Sequence, residues 1–314
     1  MKRTLAWVPL VVFGTMSPAF AQQKVGILLW NNQPRYEQTK DGLLEQLRQE
    51  GFAEPKVTVI TEDAHGNKTT VTELAQKFSA AHMSVVVPIG TSAAVAAAAQ
   101  IKDIPVVFAF VFDPVDSKIA QDWKSSGNNT TGSSSKTSAP TLLASLKQFA
   151  SVKRLAVLYT PGEKNTEAQL NDLVALKDPQ IKLTSVPLRS RADVGPELAK
   201  LEGTTDAVLL TGSSIIGDTA AEIVILANKA KWITATQSDD HMDKGVLLGV
   251  TVNPTAVGRL AGKKVAMVLR GAKPASIEIE ALKTSDVIVN LKAAKAIGLE
   301  VPAALRKSAT RLLE

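Results

Sequence analysis

Two α/β lobes, each a doubly wound parallel sheet, joined by a multi-strand hinge, are what this sequence predicts. Apolar, β-branched runs alternate with helix-period segments along the whole chain. The alternation comes in two series, one starting near Lys24 and one near Ala139. At 314 residues there is room for two domains of ordinary size, each able to bury its own core.

In the first series, Lys24 to Trp30 reads as a strand, and Tyr36 to Gly51 as an amphipathic helix with Gly51 as its stop. Lys56 to Thr61 alternates like a strand, and Thr70 to Ala81 is helical, with Leu74, Phe78 and Ala81 on one face. Ser84 to Ile89 is a short buried strand, Ser92 to Ile101 an Ala-rich helix, and Pro105 to Phe112 the fourth strand. The last is nearly unbroken in β-branched and aromatic residues, the pattern of a strand buried on both faces. Asp113-Pro114 ends it, and Asn128 to Gly132 reads as loop approaching the first crossing.

In the second series the helices are Thr141 to Ala150, Asn165 to Leu176, Val194 to Leu201 and Ser214 to Lys229. The strands are Arg154 to Tyr159, Ile181 to Pro187, Ala207 to Leu210, Trp232 to Thr236 and Val246 to Val252. A helix from Thr255 to Arg270 follows, with Gly258 and Gly262 suited to close packing on a sheet. Short strands at Ile277 to Glu280 and Val287 to Asn290, a helix from Leu291 to Ile297, and a final helix from Pro302 through Leu312 complete the chain. The expected organisation is residues 22–138 for the first lobe, 139–253 for the second, and 254–314 for a segment that returns to the lobes through the hinge.

Residues 1–21 read as a secretory signal peptide. Lys2-Arg3 is the positive start, Leu5 to Phe13 the apolar stretch, and Ala19-Phe20-Ala21 the cleavage site. The apolar run is well short of the roughly 20 residues that span a bilayer, and no cysteine follows to carry a lipid. The expected product is exported, soluble and periplasmic or secreted. Losing Lys2 and Arg3 lowers the net charge from +6 to +4. The remaining charges are interspersed, so no nucleic-acid partner is expected. The absence of cysteine excludes disulfides, thiolate catalysis and Cys-ligated metals.

Ligands of open α/β sheets sit outside the carboxyl ends of the strands, so those loops hold the candidate residues. In the first lobe they are Trp30, Asn31, Asn32, Thr91, Ser92 and Asp113; in the second, Tyr159, Ser213 and Ser214. Thr91-Ser92 and Ser213-Ser214 head helices, where they either present backbone N–H groups to an anion or simply cap. Asp113 either pairs a ligand ammonium or caps its turn. Trp30 and Tyr159 are either aromatic walls facing each other across a cleft or lobe-edge packing. Asp239 and Asp240 read as caps of a helical turn.

Enzyme signatures fail. His65, His82 and His241 stand apart, without metal-ligand spacing. Gly212 to Gly217 has one residue too many for a nucleophile elbow, and Gly66-Asn67-Lys68-Thr69 lacks the first glycine of a phosphate loop. The expectation is a binding protein with no cofactor, no metal and no catalytic set.

Four stretches together resemble one family: Asp113-Pro114-Val115, Asn129-Thr-Thr-Gly132, Leu158 to Asn165, and Val289 to Pro302. The chain is similar to the ABC-transporter substrate-binding proteins of tryptophan/tyrosine type, which have the type I periplasmic binding protein fold. The resemblance implies two lobes with three crossings, a small ligand in the cleft, and a membrane permease with its ATPase as partners. It implies pocket roles for Thr91, Asp113, Asn165 and the loop after the first strand. Many relatives carry an Asp after the second lobe's third strand, where this chain reads Thr211-Gly-Ser-Ser214. The expected solute is therefore small and polar or zwitterionic, less cationic than an amino acid that needs that Asp, with Asp113 as the cleft's main negative charge. The protein is expected to act as a monomer. A periplasmic sensing module and a secreted hydrolase are the alternatives.

Overall fold

The computed structural model describes residues 22–314, so the signal-peptide reading lies outside it. The chain first builds β1 (Gln23–Leu29), α1 (Pro34–Gln49), β2 (Val57–Asp63), α2 (Lys68–Ala80), β3 (Val85–Ile89), α3 (Thr91–Gln100), β4 (Val106–Val111) and β5 (Thr130–Ser134). It then crosses and builds α4 (Ala139–Lys147), β6 (Arg154–Tyr159), α5 (Lys164–Ala175), β7 (Lys182–Pro187), α6 (Val194–Ala199), β8 (Ala207–Leu210), α7 (Ser214–Lys229), β9 (Ile233–Thr236) and β10 (Leu248–Thr251). A second crossing brings α8 (Pro254–Leu269) and β11 (Glu280–Ala281) back to the first lobe. A third returns the chain for β12 (Asp286–Asn290), α9 (Leu291–Ala296), α10 (Ala303–Ser308) and β13 (Arg311–Leu313).

The first sheet runs β2-β1-β3-β4-β5-β11, and all its strands are parallel. The second runs β7-β6-β8-β9-β10-β12-β13, parallel except that β12 is antiparallel to β10. Parallel strands covered by helices on both faces need apolar side chains in both directions. β3 and β8 are accordingly buried at every position.

Three expectations are corrected. Asn128 to Gly132 is not simply loop, because Thr130–Ser134 is a fully buried strand. Its polar composition is compatible with burial because most of its hydroxyls find carbonyls: Thr131 Oγ1 donates to the Ile277 carbonyl at 2.8 Å and Ser134 Oγ to the Phe112 carbonyl at 2.7 Å, while Ser133 Oγ is left without a partner. The final helix stops at Ser308, and Arg311–Leu313 pairs with Ile288–Asn290 as an edge strand. Gly258 makes its closest approach to helix α1, not to the sheet. A Cβ on Gly258 would collide with the Thr39 carbonyl, and one on Gly42 with the Thr255 carbonyl. Without side chains at these points the two helices come into backbone contact, which fixes the α1 N-terminus over the interlobe cleft.

Candidate functional site

Both sheets share the strand order 2-1-3-4-5 over their first five strands. That order places the ligand crevice outside the carboxyl ends of the first and third strands, where the chain reverses direction across the sheet. In this molecule those ends are β1/β3 in one lobe and β6/β8 in the other, and they face each other. Two cavities lie between them, each walled by both lobes.

The inner cavity encloses about 20 Å³, room for about one water molecule. The first lobe contributes Arg35, Tyr36, Thr91, Phe110 and Phe112, and the second Asn165, Gln169, Gly212, Gln237 and Ser238. Phe110 reaches the cavity through a strained backbone. The β4–β5 register slips between Phe108 and Val111, and Phe110 adopts φ +57°, a conformation that bulky residues rarely hold without compensation. Its ring meets Tyr36 edge to face, with centroids 6.0 Å apart. Gly90 at φ +98° precedes α3, and a Cβ there would lie 2.9 Å from the Tyr36 ring. The start of α3 therefore has no capping side chain, and Thr91, its first residue, borders the cavity.

The lobes are joined here by a buried ion pair. Arg35 Nη1 donates to Asp240 Oδ2 at 2.8 Å, with the two side chains 1% and 7% exposed. Burial opposes charge on both partners, but their attraction outweighs it. The guanidinium pKa is raised and the Asp240 carboxyl is held below the usual carboxylate range. His241 lies behind the pair; burial lowers its pKa to about 4, so it is neutral near pH 7. The second-lobe amides are also braced. Asn165 Nδ2 donates to the Gly212 carbonyl at 2.7 Å, and the Gly212 N–H donates to Gln169 Oε1 at 2.8 Å. Gln237 Nε2 donates to Thr137 Oγ1 at 2.6 Å, leaving its buried Oε1 without a partner.

The outer chamber is larger, about 480 Å³. Trp30, Asn31, Asn32 and Gln33 form one wall, and Thr160, Glu163, Ser214 and Asp218 the opposite one; Lys68 and Arg189 stand at its rim. Trp30 Nε1 donates across the cleft to Ser214 Oγ at 2.7 Å. Gln33 Nε2 donates to the Ser214 carbonyl at 3.2 Å and to Asp218 Oδ1 at 3.1 Å, while its Oε1 accepts from Arg35. Gln33 thus links the two spaces. Glu163 is 7% exposed and accepts the Ser214 N–H at 3.1 Å. Burial raises its carboxyl above the usual range, against the lowering effects of Ser214 and Arg35.

The structure brings Trp30, Asn31, Asn32 and Ser214 to the outer chamber, and Thr91 and Asn165 to the inner cavity. Ser92, Asp113, Tyr159 and Ser213 line neither. Ser213 is fully buried, and its hydroxyl caps α7 by accepting from Ile215 and Ile216 N–H. Trp30 and Tyr159 do not face each other: Tyr159 pairs in register with Pro187, away from both cavities, and Trp30 meets Ser214 instead. Asp113 Oδ1 accepts the Val115 and Asp116 N–H groups at 3.0 Å each. Its other oxygen binds Lys136 at 2.7 Å, and Lys136 also reaches Asp172 of the second lobe at 3.1 Å. Asp113 is thus a turn cap paired at the first crossing, not the cleft's free negative charge. Asp240, read as a cap, is instead the second lobe's half of the interlobe ion pair. Arg35, Tyr36, Phe110, Glu163, Gln169 and Gln237 were not singled out from the sequence. Glu163 lay inside the Leu158 to Asn165 stretch, Phe110 inside the Pro105 to Phe112 strand, and Gln237 in the strand-end loop that follows Thr236, but none was given a role.

Among the described residues no helix is long and apolar enough to cross a membrane. The sequence pattern of the family described as ABC transporter substrate binding protein matches residues 24–313. A tyrosine-binding protein of Clostridioides difficile is 22% identical over 282 residues, covering 89% of this chain and 82% of the relative. A Streptococcus pneumoniae ABC domain in complex with L-Trp superposes with TM-score 0.89 at 24% identity, over 93% of this chain and 100% of that one. A ligand-free, open substrate-binding protein from Clostridium difficile superposes with TM-score 0.73 at 23% identity, over 93% and 99%. With almost every described residue inside the family match, and with two parallel-sheet lobes of type I periplasmic binding protein architecture, the chain belongs to the ABC transporter substrate binding protein family, whose members are binding proteins and not enzymes.

Proposed function

We propose that the protein is the exported, monomeric solute receptor of an ABC importer, and that it captures a small zwitterionic solute in the interlobe cleft. The observation that carries this reading is that both cavities are walled jointly by the two lobes, at the facing carboxyl ends of their strands. A ligand bridging such walls gains contacts only when the lobes are together, so binding shifts the molecule toward the closed form. The membrane permease and its ATPase then receive the closed form. The outer chamber, about 480 Å³ and walled by the Trp30 indole and by amide and carboxyl groups, has room for such a solute. The tyrosine and L-Trp ligands of the relatives, and the greater overlap with the L-Trp complex than with the open structure, support the same class.

Mass spectrometry of solute retained through purification, followed by calorimetry with that solute and with L-tyrosine and L-tryptophan, tests the reading. One-to-one saturable binding, with a smaller radius of gyration by solution scattering, is expected. Absence of both would overturn it. Intact mass of the exported chain should begin at Gln22.

A further inference from the structure

Glu163 is a buried carboxylate that forms no ion pair among the described residues. Its hydrogen bonds there come from Ser214 alone, whose N–H lies at 3.1 Å, although Lys68 lines the same chamber and reaches across the cleft to the neighbouring Gly162 carbonyl at 3.3 Å. The contrast with the other buried acid of the cleft, Asp240, is direct: Asp240 has Arg35 at 2.8 Å. A carboxylate removed from water and left without a counter-ion is unfavourable, and the imbalance is relieved by a cation entering beside it. The wall opposite Glu163 carries the Trp30 indole, the ring that attracts cations most strongly. Trp30 is held at Ser214, the residue whose N–H orients Glu163.

We propose that Glu163 and Trp30 form the receptor for a protonated amine in the outer chamber, and that the solute of this protein is therefore an amine-bearing zwitterion. The inference rests on the solute-capture reading above and narrows it. It also answers the missing acid in the Thr211–Ser214 loop. The Ser214 N–H draws the Glu163 side chain to that loop from the β6–α5 connection, so the negative charge is present but comes from another segment. The raised carboxyl pKa agrees with a charge that lacks a partner. The chamber's other acid, Asp218, is already engaged by Arg191 and Gln33.

The test is calorimetry of wild type and Glu163→Gln against L-tryptophan, L-tyrosine, the remaining common amino acids, the deaminated acids of the two aromatic ones, and an uncharged polyol. Wild type should bind an amine-bearing solute and bind its deaminated counterpart about 10- to 100-fold more weakly, the range for hydrogen bonds to charged groups. Glu163→Gln should lose that preference, and Glu163→Asp should retain part of it. The amine preference is also read on wild type alone, so failure of Glu163→Gln to fold leaves the assignment testable. A loop merely disturbed by the substitution would weaken both members of each pair alike. Equal binding of a solute and its deaminated form, binding of the polyol alone, or an unchanged preference in Glu163→Gln would overturn the assignment while leaving solute capture standing. No binding by any of these solutes, with nothing retained on purification, would overturn both.

Discussion

The two cavities of the cleft differ in how the protein treats its buried charge. In the inner cavity Arg35 and Asp240 come from opposite lobes and neutralise each other. The surroundings are aromatic rings and braced amides, and the enclosed space is small. In the outer chamber Glu163 is buried to the same degree as Asp240 (7% and 9% exposed) but is hydrogen-bonded only by Ser214 and forms no ion pair among the described residues. Burial by itself therefore does not mark a ligand-binding charge. The distinguishing feature is whether the protein supplies the counter-ion: where it does, the charge holds the lobes together, and where it does not, the charge is left for the solute.

The largest effect is expected from breaking the inner pair on one side. Asp240→Asn leaves the Arg35 guanidinium buried without a counter-ion, a change that typically costs about 3–5 kcal/mol. The loss falls on the closed arrangement, because separating the lobes returns Arg35 to water. Solute affinity should fall by about 100-fold or more, and solution scattering should show a larger radius of gyration. The double variant Arg35→Met/Asp240→Leu should recover most of the loss. If its defect equals the sum of the single defects, the pair is not a coupled lobe contact.

Acidification should act on the two cavities with opposite sign. His241, with a folded pKa of about 4 against an ordinary 6.5, is protonated more readily in the unfolded chain. Its contribution is present above pH 6.5 and is lost as pH falls toward 4, by up to about 3 kcal/mol. Glu163 is shifted upward, so its contribution is present below the ordinary Glu value and is lost as pH rises through the raised one. Denaturant unfolding between pH 7 and 4 should show a shallower acid decline for His241→Gln and a steeper one for Glu163→Gln. Parallel profiles in all three proteins would show that neither group is buried as described.

Much of this fold was legible because it is written in local runs. Val85 to Ile89 and Ala207 to Leu210 declare buried parallel strands in their own residues, and the strand-end rule then brought Trp30 and Thr91 to the cleft without knowledge of any contact. Arg35 was not legible: it follows Pro34 at a helix start, and its partner lies 205 residues away. Phe110 looks like any other aromatic of a buried strand. Its turn toward the cavity comes from the register slip against β5, and β5 itself was obscured because Thr, Gly and Ser read as loop until their hydroxyls find carbonyls on neighbouring strands. Glu163 was missed for a related reason. An acid was sought in the loop after β8, whereas the structure delivers it there from the loop after β6.

Asp113 gives the smallest expected effect and the sharpest separation of the two spaces. Read from the sequence it was the cleft's main negative charge, and on that reading its neutralisation should weaken an amine-bearing solute as strongly as Glu163→Gln does. In the structure Asp113→Asn keeps an oxygen to accept the Val115 and Asp116 N–H groups, and Lys136 keeps Asp172. What is lost is one partly exposed ion pair at the first crossing, worth about 1 kcal/mol or less. Calorimetry on Asp113→Asn and Glu163→Gln side by side should therefore show affinity within about fivefold of wild type for the first, and loss of amine preference for the second. Because Lys136 joins acids from both lobes, the residual effect of Asp113→Asn should appear in the balance of open and closed forms by solution scattering, with the solute preference unchanged. If Asp113→Asn instead abolished the preference, the amine would lie against the first lobe and the roles assigned to the two acids would have to be exchanged.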